Sequence, residues 1–298
     1  MKQRIFENVS ASWVRYDRYE WREKDGILYL MPAKCAKAMP YDPIEKADSV
    51  VIAAMEIGLM LMRKAEQDEI RSAIMAFACK YGLLGIITAL PTTARFASYE
   101  KVYFPKNLFV RAESMETADY LDIFFPFDKP CFTKEGTQWG LEIPEDADIQ
   151  TKALAMTYSE APVSQILSFL PFYAERYDWL AGVFKDWAFT FMTAVLYETD
   201  RDDLDEETLE LYHLGMSAFD GNAPTYHLEL RDRPTLVWDF HSLMANIKLM
   251  FSFALTDRDH PLRLCKQCQK AFIASRTNAE FCSPACRDRF KNEKRRRK

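Results

Sequence analysis

The chain has 298 residues, of which 49% are hydrophobic and 14% aromatic, with only nine glycines; it can fill a core, and it is neither a disordered scaffold nor a glycine-punctuated parallel sheet. It holds no run of about 18 apolar residues, and its start, MKQRIFENVSASW, lacks an apolar signal core, so a cytoplasmic protein is expected and not a secreted or membrane-spanning one. The net charge of −5 is unevenly spread: residues 263–298 carry twelve Lys/Arg against three Asp/Glu, which leaves −14 for the rest, so contact with a polyanion belongs to the basic tail.

In chain order, DGILYLMP reads as a short strand after an Asp-Gly turn. SVVIAAMEIGLMLMRKA, capped by Asp48 or Ser49, and EIRSAIMAFACKYGLLGII, running through Ile87, then read as two packed helices. Residues 91–150 contain Pro91, Pro105, Pro126, Pro130 and Pro144 and read as a long connection with short strands. Helix returns in DIQTKALAMTYSEAP and again from Ser164, where Pro171 kinks or divides the run. DDLDEETLELYHLGMSAF follows as a helix with its acids near the positive end of the dipole. In TLVWDFHSLMANIKLMFSFAL, Leu236, Phe240, Leu243, Ile247, Met250 and Ala254 recur at helical spacing and predict one amphipathic helix. The expected fold is therefore mainly α, with a helical body and a few short strands over residues 1–257 and a small zinc finger over residues 258–298.

The finger is read from CKQCQKAFIASRTNAEFCSPACRDRFKNEKRRRK. Cys265 and Cys268 are two residues apart, Cys282 and Cys286 three, and thirteen residues lie between the pairs. Each pair can wrap one edge of a tetrahedral ion, so the pattern predicts one Zn2+ held by four thiolates, a structural ion with no open position. KAFIASR and NAEFC suggest a hairpin between the pairs, and Ser283 and Pro284 suggest the start of a helix. Phe272, Phe281 and Phe290 are placed to form a small apolar cluster. Because so few apolar residues cannot fold a module alone, metal binding would supply much of its stability.

Along that helix Arg287, Lys291, Lys294 or Arg295, and Lys298 form a positive stripe; Arg289, Arg296 and Arg297 add charge, and Arg276 and Arg263 can extend the face. Such a surface suits phosphate contacts, and duplex DNA is the expected partner ahead of RNA. The bland alternative is a solvated tail.

The cysteine segment resembles the treble-clef-like zinc fingers at the C-termini of bacterial proteins named for a Cys-Gly-Asn-Arg signature, regarded as transcription regulators with a mostly helical N-terminal domain. The corresponding residues here are Cys286-Arg287-Asp288-Arg289, without the Gly-Asn, and Gln269 stands where a zinc knuckle often has Gly. FACKYGLLGI, YEKVYFPKN and FFPF give the body a resemblance to an uncharacterised bacterial family carrying the same finger. The resemblance implies zinc ligation by Cys265, Cys268, Cys282 and Cys286 and points toward DNA binding; it implies no activity for the body.

No catalytic constellation is read. His213, His227, His241 and His260 include no pair at one-turn spacing, there is no phosphate-cradling glycine loop or nucleophile elbow, and Asp202, Asp203, Asp205, Glu206 and Glu207 read as a solvated helix start. The expectation is a bacterial transcription regulator with a sensing or binding body. Two alternatives remain: an adaptor that uses the finger and tail to hold an acidic protein partner, and an enzyme directed by the finger.

Overall fold

The computed structural model describes residues 9–86, 101–103, 114–127, 132–135, 138–141, 172–200, 204–217, 224–230, 232–240 and 242–296, with Phe219 and Gly221. Helix outweighs strand among them, and the strands lie in small sheets of two or three. No helix among the described residues is long and apolar enough to cross a membrane. The readings at Pro91, Pro105, Pro130, Pro144 and Pro171, and the helix read over 148–162, fall outside the described residues.

The N-terminal segment is richer in strand than its sequence suggests, with β1 (Val9–Ser10), β2 (Trp13–Tyr16), β3 (Tyr19–Lys24), β4 (Ile27–Pro32) and β5 (Ala38–Tyr41). β3 and β4 form an antiparallel hairpin through Asp25 and Gly26, whose φ values of 53° and 75° are those a two-residue turn of this hand requires. β2 and β5 form a second antiparallel pair.

Two helices follow, α1 (Ala47–Met62) and α2 (Gln67–Tyr81). Neither Asp48 nor Ser49 caps α1: a short 3-10 turn leads into it, and the Ser49 hydroxyl donates to the Lys46 carbonyl instead. α2 stops at Tyr81 and does not continue through Ile87. Gly82 takes φ 92°, and a Cβ there would lie 2.3 Å from the Val14 carbonyl oxygen, so β2 occupies the space a longer helix would need. The carbonyls freed at this end find donors on the β2–β5 ribbon, Arg15 Nη1 to Cys79 at 3.1 Å and the Tyr41 hydroxyl to Tyr81 at 2.6 Å.

The stretch read as a long connection contains a helix, α3 (Thr117–Phe124), as well as the antiparallel pairs β6 (Lys101–Tyr103) with β7 (Ser114–Glu116) and β8 (Phe132–Glu135) with β9 (Gln138–Leu141). β10 (Glu175–Arg176) adds to β4. Its Glu175 is buried, and the carboxylate accepts from the Leu84 N–H at 2.9 Å, the Ile86 N–H at 3.0 Å and the Tyr173 hydroxyl at 2.8 Å, which fixes the chain leaving α2. α4 (Tyr177–Asp200) and α5 (Glu206–Ser217) come next. The single helix expected over 235–255 is instead a strand and a helix. β11 (Thr225–Leu230) and β12 (Pro234–Asp239) pair antiparallel with Leu236 opposite Leu228, and β1 joins β12 in parallel. α6 (Leu243–Thr256) begins afresh where the Ser242 hydroxyl accepts from the Ala245 N–H at 3.0 Å.

α1 is the central helix. Its buried residues include Val50, Val51, Ala54, Met55, Ile57 and Leu59, and it packs against α2, α4 and α6, as an apolar run on most sides of a helix demands. Among the described elements it packs most extensively against α4. A Cβ on Gly58 would fall 2.1 Å from the Phe184 carbonyl oxygen and 2.5 Å from the Ala188 Cβ. Gly58→Ala must therefore push the two helices apart, and we predict a destabilisation of about 1–3 kcal/mol or more despite alanine's better helix propensity. A denaturant midpoint equal to that of the parent protein would show that the helices do not meet this closely.

Candidate metal centre

The four cysteines are brought together by two local structures. β13 (Leu262–Leu264) and β14 (Ala271–Ile273) form an antiparallel hairpin, and Cys265 and Cys268 lie in the turn that closes it. The hairpin thus encloses the first pair and does not lie between the pairs; residues 278–282 form no strand. The turn is tied by Cys265 N–H to the Lys270 carbonyl and by Gln269 N–H to the Cys265 carbonyl, each at 2.9 Å. Gln269 has φ 56°, the left-handed conformation that glycine commonly supplies at this point of a knuckle.

The second pair brackets the first turn of α7 (Pro284–Arg296), where the Ser283 hydroxyl accepts from the Cys286 N–H at 3.2 Å. The Lys266 N–H to Glu280 carbonyl bond, 3.0 Å, brings this segment back to the knuckle. All four Sγ atoms lie within 4.8 Å of one another; Cys268 to Cys282 is 3.7 Å and Cys282 to Cys286 is 3.6 Å. A tetrahedron of sulfurs bonded at about 2.3 Å has edges of about 3.8 Å, so these spacings suit a soft divalent cation. This is the one such cluster among the described residues.

Cys265 is fully buried, Cys268 and Cys286 are half-buried, and Cys282 is exposed. Phe272 packs beside Cys265, and the Phe281 and Phe290 rings meet at 5.3 Å. Burial would raise the Cys265 thiol, but backbone N–H groups of Cys268, Cys282 and Gln267 outweigh it and bring the group down to about 6. Cys282 is pushed up to about 12, by loss of solvent and then by the neighbouring sulfurs of Cys286, Cys268 and Cys265. Four thiolates this close need a cation to stay ionised together, so metal binding must release protons and weaken in acid.

The basic residues do not converge on the cysteines. Arg276 is exposed in the loop after β14, and Arg287, Arg289, Lys291, Lys294, Arg295 and Arg296 are exposed along α7; Arg297 and Lys298 lie outside the described residues. Arg263 on β13 is half-buried, with Nη1 4.0 Å from Glu198 on α4. His213 lies on α5, His227 on β11 and His260 in the turn before β13, and none of these three joins the cluster; His241 is outside the described residues.

Two residues with no apparent role in the sequence hold the knuckle to the body. Glu56 of α1 accepts from the Ala271 N–H at 2.7 Å, and Arg63 Nη2 donates to the Gln269 carbonyl at 2.6 Å. Leu262 and Ala271 belong to the same buried cluster as α1, α2, α4 and α6. The one available signal was that Glu56 is the lone charged residue between Asp48 and Arg63. Compared with known protein families, curated proteins and solved structures, the chain matches none.

Cys265→Ser should abolish metal retention and, because the hairpin shares the body's core, lower the thermal midpoint of the whole chain. Full metal content in that variant, by elemental analysis, would refute the cluster as a site. Glu56→Ala should cost about 1–3 kcal/mol by stranding the Ala271 N–H, and Glu56→Gln, which keeps an acceptor oxygen, should cost less. Equal unfolding midpoints for the two variants and the parent would show that this contact contributes nothing.

Proposed function

We propose that the chain is a zinc-finger protein of the treble-clef-like kind whose basic helix contacts nucleic acid, in the manner of a bacterial transcription regulator. The observation that carries this reading is the division of α7 into two faces. One face rests on the finger through Phe290 and through Glu293, whose carboxylate accepts from Gln267 Nε2 at 3.1 Å. The other presents Arg287, Lys291, Lys294 and Arg295 to solvent, and no described element of the body packs extensively against it.

The order of a knuckle-bearing hairpin followed by a helix that starts at the second pair supports the treble-clef-like assignment. The four sulfurs, with no nitrogen or oxygen ligand beside them among the described residues, favour zinc in a structural role: all four positions would be filled by protein, leaving none for substrate. The ion would stiffen the base of α7, and cations held on a rigid helix engage phosphates with less lost entropy than a loose tail. The acidic body, which carries −14 outside residues 263–298, would then confine polyanion contact to this helix.

If α7 engages four or five phosphates, the logarithm of the affinity of the intact protein for duplex DNA should fall against the logarithm of salt with a slope near −4. Deleting residues 291–298 should weaken binding to every sequence and flatten the slope. An unchanged slope after deletion would move the contact elsewhere, and no binding at low salt would overturn the reading.

A further inference from the structure

We infer that α7 is built to enter the major groove of B-form DNA, with a cationic edge for each phosphate wall and a polar ridge for the base edges between them. This inference rests on the nucleic-acid reading above and specifies its partner and orientation.

With about 100° of turn per residue, the inner face of α7 is fixed by Cys286, Phe290 and Glu293. Their contacts with the finger settle which way it points. Arg287, Lys291 and Lys294 then lie along one edge of the helix, and Arg289 and Arg296 along the other. All five are exposed. A helix meant to lie against a single strand or a flat acidic surface needs one charged edge. Two charged edges, separated by the helix's own width, match two phosphate walls.

The dimensions agree. A helix with its side chains is about 10–12 Å across, and the B-form major groove is about 12 Å wide. The thirteen residues of α7 span about 20 Å, enough to follow the groove for several base pairs. The A-form groove of duplex RNA is deep and narrow and does not admit a helix in this way.

The ridge opposite the finger carries Asp288, Asn292 and Arg295, each exposed. These are not the residues of a purely electrostatic stripe. An Asp would be repelled by phosphates but can accept from a cytosine amino group; Asn can pair two-fold with adenine, and Arg with guanine. Arg287 Nε lies 3.3 Å from Asp288, which holds that carboxylate in place beside a compensating charge.

The test uses the intact zinc-loaded chain with a B-form DNA duplex, the A-form RNA duplex of the same sequence and the DNA single strand, followed by selection from a randomised DNA pool. Binding to the B-form duplex should be at least tenfold tighter than to the other two. Each edge should matter separately. Arg287→Ala with Lys294→Ala, and Arg289→Ala with Arg296→Ala, should each flatten the salt slope by about two, at about 0.9 per phosphate. Asn292→Ala should leave the slope unchanged and relax preference at one base pair by roughly five- to a hundredfold. All variants lie on the exposed surface, and retained metal content and helicity check that they fold. Equal affinity for single strand or A-form duplex, a slope indifferent to either edge, or no sequence selected would overturn the groove geometry while leaving nucleic-acid binding in place. Failure to bind any of the three would remove the underlying reading as well.

Discussion

At Gly58 the backbone of α1 meets the backbone of α4 with no room for a methyl group, and most of the described architecture is arranged around that approach. Close contact between two long helices buries apolar side chains of both, and α2 and α6 complete the enclosure of α1. What remains of the surface of α1 is used for another purpose. Glu56 and Arg63 reach the cysteine knuckle, so the candidate metal centre stands on a helix that packs against three others. A carboxylate in such a helix is costly unless it is paired, and the Ala271 N–H together with the nearby cations of Lys270 and Arg63 offsets the cost; burial still raises the group above the ordinary carboxylate range.

This arrangement changes how the cysteine module is stabilised. As an isolated unit it would have only Phe272, Phe281, Phe290 and a few small residues to bury, too little to fold without metal. Here Leu262 and Ala271 are part of the main core, so the hairpin draws stability from the body, whereas among the described residues the second cysteine pair and α7 take no part in that core. The ion's structural work would therefore fall on the segment after β14: it would join a hairpin already in place to a helix against which no described element of the body packs extensively. Loss of metal would first free the basic helix and only then loosen the hairpin.

How much of this could be seen in the sequence depended on how local each determinant is. The cysteine pairs, the Ser283 cap and the Asp25-Gly26 turn are set by neighbours within a few residues, and the structure places all three as their spacing implies. The end of α2 was not legible because it is enforced by the Val14 carbonyl, far away in the chain; the apolar residues after Gly82 continue a helical pattern that the structure does not use. Leu236 and Phe240 fell by coincidence at one-turn spacing with the residues of α6, although the Val and Trp between them favour the strand that forms. The hairpin was displaced because its first strand lies before Cys265, where three residues give too short a pattern to register. The contact of Glu56 with Ala271 joins residues 215 apart, and only the oddity of one charge in an apolar helix hinted at it.

The central claim is that the four sulfurs form a closed zinc centre that orders the base of α7. X-ray absorption at the zinc edge, on the full chain purified without added metal, tests it most directly. The account predicts four sulfur ligands at about 2.3 Å and no lighter atom in the first shell. A shell containing nitrogen or oxygen, or a chain that carries no zinc, would contradict it.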